Sequence, residues 1–479
     1  MQRKIMPIQT TGLNAEHKTY SPEEHDIAVH PEDLGANSFR ERYNIKYAYL
    51  TGAMYKGIAS KELVIAVAKA GLMGFLGTAG MSLERIEKEI QFIQQELGSE
   101  HSYGMNLHSH LDHPEVEMDT VNLYLKYGIT CIEAASFMQM TPALIYYRLS
   151  GLHQKSDSTI ECRNRIIAKI SRPEVARAFL SPPPERLVLK LLKEGKITQQ
   201  QADMAKHISM SDDICVEADS GGHTDQGIAS VLLPSMQSLR KEIEQERQSA
   251  HKIHIGLAGG IGTPQAAVAA FMMGADFILT GSINQCTVEA GTSDYVKNLL
   301  QDINVQDTDY APAGDMFEVG AKIQVLKKGI FFPSRANKLF SLYSHYNSWD
   351  EIPEKIRHQV ENKYFQKSFD QVWQEVQSHH QRKNQHATLE KAAKNSKHKM
   401  ALVFRWYFAY ANQLAFTGDE KNQVDFQVHT GPALGAFNQW VKNTHLESWR
   451  NRHVDQIAEK LMRETAELLN SQIINLIKR

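Results

Sequence analysis

Cysteine is scarce in this chain: four in 479 residues, Cys131, Cys162, Cys215 and Cys286, with no C-x-x-C pair. That excludes a disulfide-stapled scaffold and a thiolate zinc ribbon, and it predicts buried thiols in a reducing compartment. Excess charge of either sign is lacking too, with 53 Lys+Arg against 55 Asp+Glu, so electrostatics gives no reason to expect nucleic acid as a partner. No long hydrophobic run exists. The most apolar stretch, Leu63 to Met81, is broken by Lys69 and several glycines, and the first residues lack a basic start leading into an apolar segment. These absences point away from the membrane and toward a soluble cytoplasmic protein. A repeat of fixed period is also missing. What is present, 42% hydrophobic and 23% charged residues, suffices for a full core and more than one domain.

Eight short apolar runs alternate with amphipathic stretches. Strands are expected at 47–50, 72–76, 103–107, 129–133, 165–170, 214–218, 253–258 and 275–280. Helices are expected between them at 61–70, 83–97, 118–127 and 263–273, the last with Pro264 in its first turn. Eight βα units over residues 1–322 predict an α/β fold, a (β/α)8 TIM barrel, with a doubly wound sheet as the alternative. Beyond Lys322 strand signals vanish and residues 323–479 read as an appended helical domain whose last helices pack back on the barrel. Within it, the basic stretch 378–399 sets Arg382, Lys383, Lys391, Lys394, Lys397 and Lys399 against Glu390. It reads either as a solvated helix or linker, or as a docking surface for an acidic partner.

The seventh and eighth strands end in glycines and a hydroxyl residue, Gly259-Gly260 and Gly281-Ser282. Such ends let backbone N–H groups face an anion with no Cβ in the way, and these two loops of a (β/α)8 barrel commonly hold a phosphate. They could also be ordinary strand-to-helix turns. The sixth strand leads into Gly221-Gly222-His223, where the glycines allow close approach of a ring or phosphate and His223 stands at the mouth as a proton donor. Gly52-Ala53-Met54 after the first strand and Asn106 in the third suit a flat heterocycle, or plain core packing. One string competes. His108-Ser109-His110-Leu111-Asp112-His113 spells H-x-H-x-D-H, similar to the metal signature of metallo-β-lactamase-type hydrolases. Those enzymes use a two-sheet sandwich, whereas this string follows the third strand of a βα series, so a zinc hydrolase on His108, His110, Asp112 and His113 is the remote alternative and no metal is expected.

Longer segments carry a family resemblance. Residues 49–60, 133–144, 217–225, 257–285, 330–339, 431–438 and 449–454 resemble the trans-acting enoyl reductases of bacterial polyketide and polyunsaturated fatty acid synthases. These belong to the wider nitronate monooxygenase-like group of FMN barrels. The resemblance implies FMN in the barrel, hydride from NADPH, and reduction of the α,β double bond of an enoyl thioester carried on an acyl carrier protein. It implies a flavin contact for Asn106, and a role for His223 in proton delivery or in hydrogen bonding to the thioester oxygen. His108, His110 and His113 stand where the family has neutral or small residues. A nitronate monooxygenase-type flavin oxidoreductase is the second reading, and a barrel that only scaffolds a synthase the third. A homodimer is left open, as are the acyl chain and the choice of NADPH over NADH.

Overall fold

Strands buried on both faces read as unbroken apolar runs, which is why eight of them are visible in the sequence. In the computed structural model, residues 28–110, 113–247 and 252–478 are described. β1 (Tyr49–Thr51), β2 (Met73–Leu76), β3 (Gly104–His108) and β4 (Cys131–Ala135) precede a hairpin of β5 (Leu152–Gln154) and β6 (Ile160–Cys162). Next come β7 (Arg165–Ile170), β8 (Asp213–Glu217), β9 (Gly222–Thr224), β10 (His254–Ala258), β11 (Ile278–Thr280), β12 (Thr308–Pro312) and β13 (Lys322–Leu326). The barrel closes in the order β1-β11-β10-β8-β7-β4-β3-β2, all parallel, with Tyr49 opposite Ile278 and Leu50 opposite Met73. Closure rules out the doubly wound sheet and gives the (β/α)8 barrel.

The connecting helices start where hydroxyl caps are available. Ser60 Oγ accepts from the Leu63 amide at 3.0 Å to open Lys61–Lys69, and Thr263 Oγ1 with Pro264 opens Pro264–Met272. The helix expected from Met118 begins earlier, at Pro114. At the barrel's N-terminal end, the helix Asn37–Tyr43 acts as a plug. Phe39 stacks on Phe277 at 4.1 Å, while Tyr43, Arg42 and His254 each bond the buried Asp213 carboxylate at 2.6 Å. These partners hold that carboxyl below its usual range although burial opposes the charge.

Strand signals do not end at Lys322, as expected; that residue opens β13. β13 pairs antiparallel with β12 and with β9, forming a three-stranded sheet beside the barrel mouth. The cysteines differ in burial. Cys131, Cys215 and Cys286 are buried, whereas Cys162, in the hairpin rather than the barrel, is half-buried; all four are free. Beyond β13 the chain is helical, and Phe317, Phe332, Tyr407 and Phe408 pack an aromatic core around the helix Ser396–Thr417. The helix Val454–Ile477 returns to lie against Pro264–Met272 and Lys61–Lys69. Among the described residues, no helix is long and apolar enough to cross a membrane.

Candidate active site

Parallel barrels gather the loops after their strands at one end, and one cavity of about 1290 Å³ opens there. Gly52, Ala53, Met54, Asn106, Gly221, Gly222, His223, Gly259, Gly260, Gly281 and Ser282 all line it. Two of the glycines have distinct geometric roles. Gly260 sits at φ +75°, where a side chain is strained, while Gly281 has ordinary backbone and nothing within 4 Å of the Cβ it lacks. The amides of Gly260, Gly281 and Ser282 make no hydrogen bond to another described residue. As donors without a partner among the described residues, they suit an anion.

The late chain closes over this cradle. Gly431 N donates to Ser282 Oγ at 3.2 Å, and a Cβ on Gly262 would lie 2.1 Å from Ala433 O, one on Gly221 2.7 Å from the Thr430 backbone. Only glycine at 221 and 262 permits this approach.

His223 lies on β9 opposite Ile323 of β13, with 41% of its side chain open to the cavity. Its Nε2 is 2.9 Å from Asp315 Oδ1. Burial disfavours the imidazolium, but the Asp315 hydrogen bond and charge outweigh burial and raise the His223 pKa. Asp315 is held down to about 2: burial works against its charge, and the bond to His223 overcomes it. Asp219 braces the loop before β9, accepting from Thr224 Oγ1 at 2.6 Å and from Gln324 and Tyr310. Two other imidazoles on the cavity wall stay neutral. His429, stacked on Tyr55 at 5.1 Å, is lowered to about 3 by burial and by His223; His108 is lowered to about 4 by burial, then by His110 and His223.

The barrel end of the cavity carries an ionic chain that sequence reasoning missed. Lys169 Nζ lies 2.9 Å from Glu217 Oε1 and 3.7 Å from Glu133 Oε1, and Glu133 Oε2 accepts from the Ala53 amide at 3.1 Å. Burial raises the Glu133 pKa; for Lys169 burial acts against the charge, and the two carboxylates outweigh it. Glu133 Oε1 has no hydrogen-bond partner. The signal was present as single charged residues inside apolar strands, Ile132-Glu133-Ala134 and Ala168-Lys169-Ile170. Asn106 Nδ2 donates to Glu133 O at 3.3 Å, so the amide is anchored next to this chain.

The histidine string does not assemble into a metal centre among the described residues. His108 and His110 line the cavity, whereas His113 stands just before the helix Pro114–Lys126 and bonds Glu115 and Gln385. Asp112 lies outside the described residues.

Comparison with known proteins gives this geometry its kin. The nitronate monooxygenase family model matches residues 40–316, and the model for the inserted helical domain of [acyl-carrier-protein] S-malonyltransferase matches 346–426. The polyketide biosynthesis protein PksE of Bacillus subtilis is 56% identical over 92% of this chain, and ThaF of Burkholderia thailandensis 50% over 94%. A subunit of the polyunsaturated fatty acid synthase of Thraustochytrium is 43% identical over 87%. The chain spans only 57%, 38% and 28% of those three proteins. A solved structure, the enoyl reductase domain of MlnA from the macrolactin cluster of Bacillus amyloliquefaciens, matches at TM-score 0.89 and 48% identity, covering 92% of this chain and 100% of that one. FabK of Thermotoga maritima, at 16% identity and TM-score 0.51, shares the fold. The chain belongs to the nitronate monooxygenase family, and it is similar along most of its length to polyketide biosynthesis proteins, to a polyunsaturated fatty acid synthase subunit and to the MlnA enoyl reductase domain.

Proposed function

We propose that this protein is a trans-acting, FMN- and NADPH-dependent enoyl reductase that reduces the α,β double bond of enoyl thioesters presented by an acyl carrier protein. The observation that carries the reading is the His223–Asp315 pair lining one cavity with the glycine cradle, in a chain of which 92% matches an enoyl reductase domain. The residues present fit a flavin mononucleotide. Unbonded amides at Gly260, Gly281 and Ser282 suit its phosphate, and Gly52-Ala53-Met54 with Asn106 suit the edge and face of its ring. When bound, FMN supplies the hydride chemistry.

The protein's own groups account for the rest. Addition of hydride at Cβ leaves enolate charge on the thioester oxygen and a Cα in need of a proton. Asp315 favours the protonated form of His223 against burial and orients its ring, so the imidazole N–H can hydrogen bond that oxygen or deliver a proton to Cα. Neutral His108 and His429 add polar surface without competing charge. The helix Ser396–Thr417 covers the cavity with Trp406 and Phe408, limiting water at the reacting carbons. The test is anaerobic: NADPH should bleach the flavin and an enoyl thioester on a carrier protein should restore its colour. Restoration only by oxygen or an alkyl nitronate would instead give the nitronate monooxygenase reading, which the match over residues 40–316 supports.

A further inference from the structure

His110 and His113 have no place in that chemistry, yet this part of the histidine string reaches the last turn of the helix Phe369–Arg382. The two are tied by one chain of bonds. His380 Nδ1 donates to Gln385 Oε1 at 2.6 Å, the Gln385 amide donates to His113 Nε2 at 2.9 Å, and His113 Nδ1 donates to Glu115 at 3.2 Å. Each ring then needs only one proton, so the bridge holds with neutral imidazoles.

On the helical side of the cavity lining, cations outnumber acids. Of the cavity-lining residues on the helical side, Glu375 is the acid, and it is taken by Lys367 and by Trp406 Nε1 at 3.0 Å. Arg382 lines the cavity and forms no ion pair with a described residue; its Nε donates to Ser378 O at 3.3 Å and leaves the rest of its fork free. Arg405 faces the same space from the helix Ser396–Thr417, with Glu318 a loose 3.5 Å away and shared with His398. His110 and His379 complete the rim. A helix C-terminus favours cations and accounts for His379 and Arg382, both in the last turn of the helix Phe369–Arg382; it does not account for Arg405 and His110, which line the same cavity. Burial lowers the His379 pKa first, and the neighbouring His380, Lys383 and Arg382 lower it further.

We propose that Arg382 and Arg405, with His110 and His379, form a binding site for the phosphate ester on the pantetheine arm that carries the substrate. The assignment rests on the enoyl reductase reading, since that reading supplies a phosphate-bearing arm entering this cavity. Guanidinium forks match phosphate oxygens, and the imidazoles add single donors. A nicotinamide dinucleotide carries phosphate too, so the test must separate the two sources.

The flavin-loaded full chain is assayed with crotonyl-pantetheine and crotonyl-4′-phosphopantetheine, and its binding of 4′-phosphopantetheine is measured by calorimetry. The phosphorylated thioester should have a KM lower by on the order of tenfold, as charge-assisted hydrogen bonds require. That ratio should fall toward one in Arg382→Gln and in Arg405→Gln, and calorimetric binding should weaken in parallel. Equal KM values in the parent protein overturn the proposal. So does an unchanged thioester ratio with a shifted KM for NADPH, which would give the site to the nucleotide. If neither thioester is reduced, the enoyl reductase reading fails, and calorimetry decides the site alone: heat with 4′-phosphopantetheine but not with pantetheine upholds it, and no heat with either removes it.

Discussion

At the scale of single residues, His223 and Asp315 illustrate what is legible and what is not. His223 follows a double glycine at a strand end, so its place at the mouth is readable from the sequence. Asp315 sits in a loop 92 positions away, and nothing local marks it as the partner. His429 is hidden for the same reason. His223→Ala should retain flavin and lose about 10²-fold or more in turnover if the histidine is the acid. Asp315→Asn tests the pairing through pH. The carboxylate raises the His223 pKa, so its removal lowers that pKa, and the alkaline fall in rate should move to lower pH. An unmoved profile would detach Asp315 from the proton. For the cradle, Gly281→Asp is a cleaner probe than Gly260→Asp. Position 281 has room and ordinary backbone, so a carboxylate there should repel phosphate and bleach the purified protein without a large change in Tm, whereas at 260 backbone strain is added.

At the scale of elements, the eight barrel strands are legible because each is an apolar run buried on both faces. The three-stranded sheet of β12, β13 and β9 is not, since β9 lies far in sequence from its partner β13 and each strand is short. The basic stretch 378–399 resolves into distinct parts. Lys399 lies over the rings of Phe369 and Trp373 and Lys397 over Tyr343, so these cations are engaged, whereas Lys391 and Lys394 stay exposed on the helix His386–Lys394. Reversing both charges should raise KM for carrier-borne substrate and leave small thioesters unaffected; equal effects on the two would argue against docking there. Gly262→Ala tests the contact between the β10 loop and residues 429–433. A methyl group cannot fit against Ala433 O, so the segment must shift, at a cost of about 1–3 kcal/mol in stability measured by urea unfolding.

At the scale of the whole molecule, composition marks a large, charge-balanced chain with more than one unit, and it is silent on how the units meet. They meet at the site. Asn412 of the helix Ser396–Thr417 bonds both Lys56 and Tyr55 of the β1 loop, and residues 429–433 reach the cradle itself. Flavin loading should therefore slow hydrogen exchange at the Gly431 amide and in the turn around it; identical exchange in stripped and loaded protein would show the two to be independent.

The bond from Gly431 to Ser282 joins residues 149 positions apart. On the ribosome the glycine loops of the barrel emerge first and wait, one side still bare, until the helical region has been made and folded back. A cofactor arriving in that interval meets half a site. On the proposed function, tight capture of the flavin belongs to the finished chain rather than to the nascent one, and a stalled or truncated product ending before residue 431 should leave the ribosome colourless.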